Sequence, residues 1–142
     1  MRVANVRARV FPFAVSLDER WTASSDRGGT PLVDEPEPWT PEHLVLAALC
    51  RCVMTSLRHH ARRAGLEVVS SAKADGTVTL RDEDGRFAFV EIAVAVSASL
   101  TPTLEGDALR DLLAKAERDC FVGASLRVTP AYRWTVDGRE IG

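Results

Sequence analysis

From Leu44 to Ala64 the chain has no glycine and no proline, and Gly65 ends the run. This stretch limits the fold more than any other. Thr40 can cap a helix, Pro41 suits a first helical position that needs no N–H, and Glu42 meets the positive end of the helix dipole. Gly65 stands where a C-terminal cap belongs. Apart from Arg51, Thr55 and Ser56, the segment LVLAALCRCVMTSL is apolar on almost every side. A helix of that kind is expected to be buried. The following RHHARR is polar and basic, so that end should emerge into solvent.

The flanking segments have a different pattern. Val3, Val6, Val10, Val15 and Leu17 alternate with polar residues, which predicts strands over 3–10 and 14–23, with a bend or edge position at Pro12. Residues 25–39 are rich in Gly, Pro, Ser and acidic side chains and read as a surface loop. Residues 66–81 and 86–99 read as strands joined by the turn DEDG. In the second of these, the face carrying Val90, Ile92, Val94 and Val96 is the expected core face. Leu104, Ala108, Leu109, Leu112, Leu113 and Ala116 repeat at helical spacing, so 104–119 is a second, amphipathic helix. A junction or short helix at CFVGASL, a last strand in VTPAYRWTV and a tail, DGREIG, complete the chain. Strands and helices are partly segregated, which favours an α+β fold over a doubly wound one. At 142 residues the chain is expected to form a single domain over 1–142.

Composition narrows the function. The net charge is −2, so no basic excess favours nucleic acid or an anionic membrane. No apolar run reaches the roughly 18–20 residues of a membrane span. The start, MRVANVRARV, lacks the apolar region of a secretory signal, and the expected location is cytoplasmic. The 3 cysteines, at 50, 52 and 120, do not suggest a secreted disulfide framework. Cys50 and Cys52 point about 200° apart on a helix and cannot share one pocket, so one of them, Cys50 by preference, is structural. Cys52 and His59, or His43 and Cys50, are seven residues apart, about 10 Å along a helix and too far for one ion. No metal site is expected. The pattern holds no phosphate-binding glycine loop and no nucleophile elbow. His59 and His60 are read as solvated, and Phe87, Phe89, Tyr132 and Trp134 as core packing by default.

Two segments together carry a resemblance. TPEHLVLAALCRC resembles the first signature of the OsmC/Ohr family, the osmotically inducible and organic-hydroperoxide-resistance proteins. DCFVGASL resembles the second, in which another cysteine follows an amphipathic helix. The resemblance implies an OsmC-like α+β fold, with a long buried central helix and a second helix packed on antiparallel sheets in an intertwined homodimer. It implies a thiol-dependent peroxidase acting on organic hydroperoxides in oxidative-stress defence, without metal or other bound cofactor. Carried over by motif, Cys52 would be the peroxidatic cysteine and Cys120 the resolving one. Glu42 would pair with an arginine from the N-terminal region, either Arg20 in ERW, which is favoured, or Arg27 in DRGG. An external dithiol, of lipoyl or thioredoxin type, would restore the thiols. Departures from the signatures include Cys50 in place of a small residue, Arg51 beside Cys52, and Phe121-Val122-Gly123 after Cys120. They leave room for a ligand-binding or stress-associated relative without peroxidase activity.

Overall fold

The computed structural model describes residues 10–19, 23–28 and 39–142. Nearly all of the strand expected at 3–10, most of the 25–39 loop, and Arg20 lie outside these residues. The described elements are β1 (Phe11–Leu17), β2 (Ala23–Ser25), α1 (Pro41–Arg63), β3 (Glu67–Leu80), β4 (Phe87–Thr101), α2 (Gly106–Arg118), α3 (Phe121–Ser125), β5 (Ala131–Val136) and β6 (Arg139–Ile141). The strands form one six-stranded sheet in the order β2-β1-β3-β4-β5-β6. All described pairs are antiparallel except β4–β5. The sheet is therefore mixed, not purely antiparallel. Strand β5 runs parallel to β4 because α2 and α3 carry the chain back to the starting end, as a parallel pair requires.

The start of α1 follows the capping chemistry of its sequence, with one addition. Thr40 accepts from the His43 N–H at 3.4 Å, and the His43 ring returns a bond to the Thr40 backbone, with Nδ1 accepting its N–H at 3.2 Å. The other ring nitrogen, Nε2, lies 2.8 Å from Asp26 Oδ1, just after β2. His43 is fully buried, edge-on to both Phe13 and Trp39. It fastens the helix to the β1–β2 hairpin. We expect His43→Ala to lower stability by about 3 kcal/mol in urea unfolding, since it opens a cavity and leaves Thr40 and Asp26 without their partner.

The inner face of α1, including Leu46, Leu49, Val53, Met54 and Leu57, packs on β1, β3 and α2. Burial on every side, as the sequence predicts, is not what one chain provides. Leu44 is 43% exposed, and Ala48, Arg51 and Thr55 also face outward. The sheet and α2 cover only one side of the helix.

Along β4 the alternation puts Ile92, Val94, Val96, Ala98 and Leu100 in the core. Val90 departs from the expected core face. The pairing with β3 shifts between Thr77 and Val78, so that Thr77 pairs with Glu91 and Val78 with Phe89. The bulge at Val90 turns the faces over. Val90 is 38% exposed, while Phe89 packs on the core against Phe13. Pro12 lies in β1 beyond the reach of β2, an edge-like place that suits a residue with no N–H.

The expected C-terminal tail is instead a hairpin. Asp137 and Gly138 both have positive φ, at 49° and 81°, and turn β5 into β6. Asp-Gly is a favoured pair for a two-residue turn with both central φ values positive.

Candidate active site

Residues 50–52 divide two thiols between two environments. Cys50 faces the core at 0% exposure, and burial, with Asp75 and Cys120 adding to it, pushes its thiol up to about 12. Cys52 points the other way, about 200° around the helix, and is half-buried.

Cys120 reaches Cys52 from the far side of the chain. It sits at the bend where α2 ends and α3 begins. Its thiol lies close enough to Cys52 to feel it electrostatically, although the two residues are 68 positions apart (52 to 120). The Val122 N–H, in the first turn of α3, points at the Cys52 sulfur at 3.4 Å. The Tyr132 hydroxyl, from β5, lies beside Cys120, both next to Gly123. The groups thus stand in a series: the Tyr132 hydroxyl beside Cys120, Cys120 beside Cys52, and the Val122 N–H donating to Cys52 from α3. Burial raises the Cys120 thiol above its ordinary range, and Cys52 adds to this. The Tyr132 hydroxyl and the Gly123 N–H partly offset it. Tyr132 is itself raised, by burial and by the neighbouring Cys120 thiol.

Gly123 makes this approach possible. A Cβ there would lie 2.3 Å from Tyr132 Oη and 3.3 Å from Cys120 Sγ. On the other flank, the Asp119 carboxylate takes a hydrogen bond from His60 Nε2 at 2.7 Å, linking the residue before Cys120 to the end of α1. Asp119 is also bonded by Arg118. The Arg118 guanidinium, with His60, holds the Asp119 carboxyl at about 2, below its usual 3.8. A carboxyl lowered on folding stabilises the fold above its unfolded value, and that contribution disappears as pH falls through the folded value. Between about pH 4 and 2 this flank should therefore loosen. Asp119→Asn should flatten the same part of the stability–pH curve measured by urea unfolding.

The residues expected from sequence do not all meet. Cys52 and Cys120 do. Glu42 lies ten residues before Cys52 on the same helix, about 15 Å away along its axis. Arg27 stays at that same far end, its guanidinium 5.3 Å from the centre of the Phe13 ring, which in turn packs on His43. Arg20 lies outside the described residues. His60, expected to be solvated, is a partner of Asp119. Tyr132, read as packing, has its hydroxyl near Cys120, with Gly123 beside both. One sequence signal could have singled out Tyr132. A tyrosine alternating with Trp134 and Val136 toward the core brings a hydroxyl that needs a partner. Among the described residues, no cluster of three or more His, Cys, Asp or Glu could hold a metal ion. No described helix is long and apolar enough to cross a membrane.

The family model for OsmC-like proteins matches residues 34–134, which span α1 and both cysteines of the site. The chain belongs to the OsmC family. Its fold is similar to those of several OsmC structures. An OsmC-like protein of unknown function from Vibrio cholerae O1 biovar eltor superposes with a TM-score of 0.60 at 17% identity, covering 80% of this chain and 82% of that one. An OsmC-like protein from Mycoplasma pneumoniae gives 0.58 at 14% identity, covering 93% and 98%. The organic hydroperoxide resistance protein OhrB of Bacillus subtilis gives 0.51 at 19% identity, covering 94% and 100%. A comparison with curated proteins found no match. The likeness between this OsmC-family chain and those structures is one of fold: a mixed α+β molecule with a sheet and helices in common.

Proposed function

We propose that this chain, as a single OsmC-like domain, is a thiol-dependent peroxidase that reduces organic hydroperoxides, with Cys52 as the peroxidatic and Cys120 as the resolving cysteine. One observation carries the reading: two thiols 68 residues apart in the chain lie close enough to influence each other, and Cys52 lines an open cavity. A structural pair has no need of such a cavity. The hydroperoxide resistance proteins of similar fold, OhrB of Bacillus subtilis among them, support the substrate class.

In the first step the Cys52 thiolate attacks the terminal oxygen of the hydroperoxide. An S–O bond forms, the O–O bond breaks, and the alkoxide takes a proton and leaves as the alcohol. Cys52 is then a sulfenic acid. Cys120 attacks its sulfur; the S–S bond forms, the S–O bond breaks, and hydroxide leaves with the Cys120 proton as water. An external dithiol, of lipoyl or thioredoxin type, reduces the disulfide by exchange and restores both thiols. No metal or other bound cofactor takes part in this scheme.

Glu42 fits this scheme only if a second copy of the chain brings it, with an arginine partner (Arg20 or Arg27), to Cys52, because one helix keeps Glu42 about 15 Å away. The outward side of α1, with Leu44 and Ala48, offers that copy an apolar surface. An intertwined homodimer is therefore part of the proposal, as is a cytoplasmic location, where the transient disulfide would be reduced again.

The test is intact-mass analysis of reduced protein mixed with one equivalent of cumene hydroperoxide. The expected product has lost two hydrogens, and peptide mapping should join Cys52 to Cys120. Unmodified thiols after prolonged exposure would sink the peroxidase reading and favour a ligand-binding role.

A further inference from the structure

The cavity beside Cys52 contains a polar group that the thiol chemistry does not use. Its volume is about 400 Å³, and it is lined by Cys52, Thr55, Ser56, His59, Asp119 and Phe121. Its walls are mostly apolar, and Phe121 at the rim is 77% exposed. Ser56 comes one helical turn after Cys52, so both side chains project from the same face of α1.

Ser56 is 7% exposed, and its Oγ has no hydrogen-bond partner among the described residues. A helical serine has a ready alternative, which is to donate to the carbonyl four residues back. The neighbouring Thr55 does this, with Oγ1 2.8 Å from the Arg51 carbonyl oxygen. Ser56 leaves the equivalent bond unmade. A buried hydroxyl without a partner opposes folding, and alanine would occupy the same place without that penalty. The hydroxyl is therefore placed for something that enters the cavity.

We propose that Ser56 is a ligand-binding residue, whose hydroxyl donates a hydrogen bond to the oxygen of a compact, largely apolar alcohol or hydroperoxide held against Cys52. That the ligand is a hydroperoxide rests on the function proposed above; the subsite itself rests on the cavity and the unpaired hydroxyl. The apolar body of the ligand lies toward Phe121, and its oxygen end faces Cys52 and Ser56. In the peroxidase cycle the bond from Ser56 goes to the oxygen attached to carbon, the one that leaves as the alcohol.

Cumyl alcohol tests this without any reaction. Its affinity for the reduced protein is measured by NMR titration in the wild type and in Ser56→Ala. The expected result is binding to the wild type and about tenfold weaker binding to the variant. For cumene hydroperoxide, kcat/KM should fall by at least a similar factor, because the oxygen that Ser56 bonds gains charge as the O–O bond breaks. The urea midpoint should not fall, because no internal bond is lost. No binding by the wild type, equal binding by the two proteins, or a lowered midpoint would overturn the proposal. Binding that depends on Ser56 in a protein that fails to reduce cumene hydroperoxide would uphold the subsite and remove the peroxidase reading.

Discussion

Cys52→Ser is expected to lower the rate of hydroperoxide reduction by about three orders of magnitude or more, measured with cumene hydroperoxide and an excess of dithiol. Peroxide reduction needs a polarisable thiolate, and a serine hydroxyl at this place is a far weaker nucleophile. The fold should hold, because Cys52 is half-buried and the change is nearly isosteric. Cys120→Ser should behave differently. It leaves the first oxidation intact but removes the partner that condenses with the sulfenic acid. A single turnover should still consume one equivalent of peroxide. The product should then carry one extra oxygen, and further peroxide should drive it to the sulfinic acid. Full multiple-turnover activity in Cys52→Ser would end the assignment. Full activity in Cys120→Ser would move the resolving role to the external dithiol.

Gly123→Ala should also impair the cycle, although it adds one methyl group and removes no reactive atom. That methyl would meet Tyr132 Oη at 2.3 Å, with Leu49 Cδ1 at 3.4 Å leaving little room to yield. Overpacking of this kind costs about 1–3 kcal/mol, here by pushing Tyr132 or α3 aside. Disulfide formation after the first oxidation, followed by stopped-flow mass analysis, should slow by about tenfold. Tyr132→Phe separates the two causes. It removes the hydroxyl that offsets the effect of burial on Cys120, so the Cys120 thiol should rise further and the resolving step should shift to higher pH. Combined with Gly123→Ala it should also relieve the clash, so that the double variant is more stable than the sum of the single changes predicts. Additive losses would mean that the methyl and the hydroxyl do not meet.

The sequence announced α1 at both ends because capping is a local matter. Thr40, Pro41, Glu42 and Gly65 act within a turn of themselves, and the helix runs from Pro41 to Arg63. The angle between positions 50 and 52 likewise required one of the two thiols to turn from the other's pocket, and Cys50 is the one in the core. What could not be read locally was which partner an element would find. Val90 was misassigned because one extra residue opposite Thr77 and Val78 reverses the alternation, and no pattern within β4 alone contains that information. The terminal hairpin was a missed local signal, since Asp137-Gly138 carries it in two letters. In the site, the two cysteines were legible through the signatures that contain them. Tyr132 and Ser56 were not, because one depends on a pairing made 12 residues after Cys120 and the other on a bond that is absent. Glu42 and Arg27 are the parts of the expected site that the described packing leaves at the other end of α1 from Cys52.

The parallel pairing of β4 and β5 has a kinetic consequence. The chain from Thr101 to Ala131 is tied down at both ends by the same sheet, with Cys120 on the strap between. In the proposed cycle a freshly oxidised Cys52 would therefore find its neighbour without a search, as a reaction within one molecule does. A second oxidant molecule must arrive by diffusion, and at low doses it comes too late. Damage to Cys52 should thus set in only when the oxidant is abundant enough to win that race, giving the protein a threshold where a lone thiol would decay in proportion to dose.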